Sequence, residues 1–145
     1  MYDVEKGSVE QYTNAIASKL DANIERNDTE KLTLLIDTRG GEGWPNPGAM
    51  SVVPFLTSVS QTLTLNFPER LHAAIVFPVP WLASAIWGMT KPFLDETTAE
   101  IVKILHGPAD RNARVPEELS LYLDSDCLKV LELHRNERIF GRRVF

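Results

Sequence analysis

Residues 67–105 (FPERLHAAIVFPVPWLASAIWGMTKPFLDETTAEIVKIL) constrain this chain more than any other stretch. Two apolar runs, at 72–79 and 101–105, are each short enough to be a buried strand. Between them, Pro80 opens and Pro92 interrupts a segment carrying Trp81, Leu82, Ile86, Trp87, Met89, Phe93 and Leu94. One helix face needs fewer large apolar groups than that. The connection is therefore either buried on two sides or closed over something that is not protein.

Upstream, Tyr12, Ile16, Leu20 and Ile24 recur every four residues and predict a helix over 9–27, with Ser8 as its N-cap and Asn27-Asp28 as its stop. Residues 31–38 (KLTLLIDT) are a continuous apolar run suited to an interior strand. The loop at 39–48 (RGGEGWPNPG) holds four glycines and two prolines. Its spacing fits neither a dinucleotide fingerprint nor a P-loop, and it reads as a strand-to-helix connection with Trp44 packed against it. Helical spacing returns over 49–66, with Val52 or Val53, Leu56, Val59 and Leu63 inward and Pro54 in the first turns. After His106 the chain turns polar. Pro116 opens a short helix with Glu117 and Glu118 in its first turn, and 127–133 is a last short apolar segment. Strand, helix and strand in this order predict an α/β fold: a mixed, mostly parallel sheet with helices on both faces.

At 145 residues the chain is expected to form one domain. The prolines keep every apolar run too short for a membrane span, and residues 1–10 are too polar for a signal peptide. The single Cys127 rules out an internal disulfide and fits a reducing compartment. Together these place the chain in the cytoplasm. A net charge of −5 argues against a nucleic-acid binder that neutralises phosphates. Arg135, Arg138, Arg142 and Arg143 gather at the C-terminus and read as a solvated tail.

Catalytic patterns are missing. His72, His106 and His134 lie far apart, with no Asp, Glu or Cys at metal-ligand spacing. No G-x-S-x-G elbow occurs, and Cys127 has no neighbouring base, which suits a buried, inert thiol. Asp37 ends a strand, where α/β enzymes often place carboxylates, but it stands alone and capping the glycine-rich loop explains it as well. The expectation is a protein that is not an enzyme, with no metal and no cofactor.

Five pieces in sequence order carry a resemblance: LLIDTRG at 34–40, FPERL at 67–71, PVPW at 78–81, KPFLDETT at 91–98 and PEELSLYLDSDCL at 116–128. Together they resemble the CRAL-TRIO lipid-binding domain, the module of phosphatidylinositol/phosphatidylcholine transfer proteins, tocopherol transfer protein and retinaldehyde-binding protein. The joint spacing of FPER, PW and KPFLD is specific. It implies a domain over 1–128, shortened at its N-terminus relative to the family, and a C-terminal extension over 129–145.

The resemblance implies that the sheet is the floor of an apolar lipid pocket and the helix around KPFLD a mobile gate. By position the floor is Leu32, Leu34, Ile36, Val76, Val102 and Ile104. Leu56 comes from the crossover helix, and Trp87, Thr90, Phe93 and Leu94 from the gate. Departures from the family pattern bear on the ligand. Leu32 and Leu34 stand where phosphatidylcholine binders place hydroxyls. Glu69 of the PER motif is present, but its lysine partner falls at Ile101, with Lys103 two residues on; Glu69 and Lys103 are the polar candidates. An apolar floor penalises a buried phosphate, so a neutral hydrophobic ligand is expected. The implied role is binding, and transfer or sensing, of a hydrophobic small molecule or lipid, with transient membrane contact. The alternative is a protein-interaction or membrane-targeting module with a vestigial pocket, meeting a protein partner through the gate surface or the basic C-terminus.

Overall fold

In the computed structural model, residues 7–25, 29–41, 49–67, 69–93 and 96–139 are described. The chain is α/β; among the described residues the sheet is three-stranded and wholly parallel, with β1 (Leu32–Asp37), β2 (Leu71–Val79) and β3 (Val102–His106) in that spatial order. Helices α1 (Val9–Asn23) and α2 (Ala49–Asn66) lie between or before the first strands. Helices α3 (Trp81–Thr90) and α4 (Glu96–Ile101) join β2 to β3, and α5 (Ser125–Ile139) ends the described chain. The predicted elements appear at their expected places. Helix α1 stops at Asn23, short of the expected residue 27, because Ile24 is already extended; Asn27 and Asp28 lie outside the described residues.

Local chemistry sets the helix ends. Ser8 and Gln11 form a capping box on α1: the Ser8 N–H donates to Gln11 Oε1 at 2.8 Å, and the Gln11 N–H donates to Ser8 Oγ at 3.2 Å. Asp124 caps α5, its Oδ1 accepting from the N–H groups of Cys127 at 2.7 Å and Asp126 at 3.1 Å. These bonds, first among them the one from Cys127, hold the Asp124 carboxyl below the usual carboxylate range. Cys127 is exposed, not buried as the lack of a neighbouring base suggested. It falls on the outer side of α5, and the Asp124 carboxylate pushes its thiol pKa up, toward the less reactive form.

Both faces of the sheet are covered, each by a different cluster. On one face, Ala73, Ile75, Phe77 and Leu105 pack with Leu119 and with Leu35, Val115, Leu123, Leu128 and Leu131. Strand β2 is central and buried from Ala73 to Val79, which explains its unbroken apolar run. On the other face, Phe55, Val59, Leu63 and Phe67 receive the α1 stripe Tyr12, Ile16 and Leu20, together with Leu34, Leu56 and Leu71. The Thr13 hydroxyl, buried in that interface, donates to the Val9 carbonyl at 2.8 Å and lies 3.0 Å from Ser58 Oγ. A polar pair survives there because each oxygen has its partner.

Candidate functional site

The register of the sheet brings the expected floor together. Leu34 stands beside Ala74 and Ala74 beside Val102; Ile36 stands beside Val76 and Val76 beside Ile104. Side chains alternate across a strand, so these two rows share one face. Every side chain in them is apolar. Leu32 lies on the same side of β1, next to an irregularity where β2 has one extra residue between Leu71 and Ala73. Val76 is buried, whereas Leu34, Ile36, Val102 and Ile104 are only half-buried. Leu34 packs against the cluster of Phe55, Val59 and Leu63 from α2, which Leu56 of the same helix also joins. Ala74, central to these rows, is a position that the resemblance did not single out. The alternation in HAAIV, once paired with β1, would have found it.

Helix α3 packs beside α2 and β3, with Trp87 half-buried. Its other side is apolar and bare. Trp81 is 76% exposed, Leu82 65% and Met89 75%. Gly88 also faces open space. Thr90 ends α3 and Phe93 lies in the one-turn 3₁₀ segment Lys91–Phe93, but their side chains, and Leu94 altogether, lie outside the described residues.

The polar candidates sit elsewhere. Lys103 pairs with Ile75 and so occupies the sheet face opposite Val102 and Ile104, its Nζ donating to the Glu100 carbonyl at 2.8 Å. Ile101 closes α4 instead of opening the strand. Glu69 is exposed in the turn before β2 with φ of 60°, and Lys31 Nζ donates to its carbonyl. The arginine of the same FPERL motif holds the backbone in place. Arg70 donates to the carbonyls of Glu30 at 2.7 Å and Glu25 at 3.2 Å, fixing the approach to β1.

Asp37 has a partner that one-dimensional reading missed. Its carboxylate takes a forked contact from Arg39, with Nε at 3.0 Å from Oδ1 and Nη2 at 2.8 Å from Oδ2. The Arg39 side chain is only 2% exposed; its Nη1 also donates to the Ala113 carbonyl at 2.9 Å and lies 2.8 Å from Glu132 Oε1. Burial alone would depress the Arg39 guanidinium, but the hydrogen bonds and charges of Asp37, then Glu132, push its pKa above the ordinary value. Arg135 joins from α5, 3.6 Å from Asp37 Oδ2, and donates to the carbonyls of Gly40 at 3.0 Å and Arg111 at 2.7 Å. It is held down in pKa, first by burial and then by the Arg39 cation. The reading of Arg135 as part of a solvated tail is thus corrected. Its place on α5 turns it under the molecule, and Arg142 and Arg143 lie outside the described residues.

An open depression of about 630 Å³ lies at the carboxyl end of β3, lined by His106, Gly107, Arg114, Val115, Pro116 and Glu117 among others. It is not the expected floor. Among the described residues no group of acids, histidines and cysteines could hold a metal ion. No helix among them is long and apolar enough to cross a membrane.

The family model for the CRAL/TRIO domain matches residues 1–130, and no curated protein matches the chain.

Proposed function

This chain belongs to the CRAL/TRIO domain family, whose members bind or transfer lipophilic small molecules and are generally not enzymes, and from that premise we propose what it carries and how. Its ligand is a neutral hydrophobic molecule, or a lipid held mainly by its chains, seated on the face formed by Leu34, Ile36, Ala74, Val76, Val102 and Ile104. The observation that carries this reading is the register, which lines up two apolar rows without one polar side chain. A charged headgroup on that floor would lose its hydration with nothing to replace it. Leu32, Leu56 and Trp87 complete the surround, with Thr90, Phe93 and Leu94 at its gate, while Glu69 and Lys103 stay outside the apolar seat.

Helix α3 is the gate. Its exposed stripe of Trp81, Leu82 and Met89 enters the surface of a bilayer, the helix swings, and the ligand partitions onto the floor. Closure then removes apolar ligand surface from water, worth roughly 25 cal/mol per Å². The domain occupies residues 1–128 with an extension over 129–145, and works in the cytoplasm as a peripheral visitor to membranes.

Native mass spectrometry of protein purified from a eukaryotic host, before and after incubation with mixed-lipid vesicles, tests the reading. An added mass that organic solvent extracts is expected, and it should be lost in Ile104→Glu while the circular dichroism stays unchanged. A bare protein mass under both conditions would sink the carrier reading in favour of an interaction module.

A further inference from the structure

The two edges of the sheet are built differently. Strand β3 is five residues long, with Lys103 near its middle and Pro108 just beyond its end. Shortness, a central lysine and a nearby proline are the usual ways of blunting an edge. Strand β1, at six residues, is scarcely longer, but it has no lysine near its middle and no proline at its end. The stretch from Lys31, just before the strand, to Asp37 at its end has no proline, no glycine and no charge in between.

The hydrogen bonds of β1 to β2 fix which backbone groups face outward. The Leu32 N–H donates to the Arg70 carbonyl and the Thr38 N–H to the Phe77 carbonyl, both at 2.7 Å. Even-numbered residues therefore face β2, and the N–H and C=O groups of Lys31, Thr33, Leu35 and Asp37 face away. Among the described residues, β1 pairs with β2 alone. Thr33 is exposed and Leu35 half-buried, so this row lies at the surface.

We infer that β1 pairs with β1 of a second copy of this chain, antiparallel, making one continuous sheet across a two-fold axis at Leu34. In that register Thr33 faces Leu35 of the second copy, and Lys31 faces its Asp37. All are outward-facing positions, so each pair exchanges two backbone bonds. The charges select the register. Sliding by one pair in one direction sets Lys31 against Arg39 of the second copy; sliding the other way sets it against Leu35. Only the Leu34-centred register joins opposite charges at both ends, and a two-fold contact repeats the pairing twice. Asp37 keeps 20% of its side chain exposed beyond its contact with Arg39, which leaves an edge for the lysine.

Sedimentation velocity of the 145-residue chain, over concentrations up to about 0.1 mM, with residue-resolved hydrogen exchange tests this. A reversible dimer is expected, in which the amides of Thr33, Leu35 and Asp37 gain protection as concentration rises. Thr33→Pro removes one outward N–H and spares the β2 ladder, so it should give a folded monomer. Lys31→Glu keeps every backbone group, should weaken the dimer about tenfold, and decides the matter if the proline variant does not fold. A monomer at all concentrations overturns the inference. So does a dimer that forms without protection of the odd-numbered amides, or one that Lys31→Glu leaves unchanged, since either places the contact elsewhere.

Discussion

Around the carboxyl end of β1, two arginine side chains are sunk into the protein against the partly exposed carboxylates of Asp37 and Glu132, whereas along α3 a tryptophan, a leucine and a methionine stand in solvent. Both regions invert the ordinary distribution, and the difference between them is compensation. Each buried charge has its partner within the chain: Arg39 with Asp37, Glu132 and the Ala113 carbonyl, and Arg135 with two more carbonyls. A buried charge is tolerated on those terms. The α3 stripe has no such compensation among the described residues. A lone exposed leucine needs no explanation, but Trp81, Leu82 and Met89 sharing one helix side call for something outside the chain.

That contrast can be broken or sharpened by substitution. The largest effect is expected from Asp37→Ala, which leaves the Arg39 guanidinium buried without its forked acceptor. It should cost about 3–5 kcal/mol in urea unfolding. A loss under about 1 kcal/mol would show that Glu132 and the Ala113 carbonyl suffice alone. Next, Arg135→Met removes charged donors from the carbonyls of Gly40 and Arg111 but keeps the side-chain bulk. It should cost about 1.5–3 kcal/mol, and amide exchange should quicken first around residues 39–41 and 109–113, which α5 ties together.

On the other side of the comparison, Trp81→Ser with Met89→Ser should shift stability by no more than about 0.5 kcal/mol, since neither side chain is packed. The same variant should bind vesicles about tenfold more weakly in a flotation assay, reflecting the apolar surface it no longer inserts. Reversed results, with unfolding and unchanged vesicle binding, would make α3 a core helix. The smallest effect concerns the α5 cap. Folding lowers the Asp124 pKa, so its carboxylate stabilises the fold above the unfolded value near 3.8, and that contribution fades as pH falls through the folded value. Asp124→Asn keeps an acceptor at the cap and should flatten this part of the acid limb of a thermal-stability profile. An unaltered limb would assign the dependence to other carboxylates.

Much of this was legible beforehand because period and punctuation are local properties. The four-residue repeat of Tyr12, Ile16 and Leu20, the Ser8 cap, and the unbroken apolar run of β2 each state a local preference that the fold adopts. The positions expected for the floor share one sheet face, Leu34 with Ala74 and Val102, Ile36 with Val76 and Ile104. Lys103 shows where such reading stops. Alternation along one strand assigns two faces but does not say which is the floor, and Lys103 takes the face opposite Ile104. Cys127 and Arg135 show the same thing on a helix whose apolar side is weakly marked. The rotation of α5 was settled by Leu128 and Leu131 meeting the sheet, which turns Cys127 out and Arg135 in.

By itself, then, the sequence determined the places of the first two helices and the three strands, a mostly parallel, two-sided sheet, and that more apolar surface sits between β2 and β3 than one helix face needs. Only the tertiary structure decided the pairing of Asp37 with Arg39 and Arg135 and of Arg39 with Glu132, and which apolar residues would remain bare. The physical reason lies in range. Hydrophobic period acts between residues a few positions apart, whereas the charge contacts join residues up to 98 positions apart, from Asp37 to Arg135. Such pairs exist only once burial has brought distant segments together and made an unpaired charge too costly to leave.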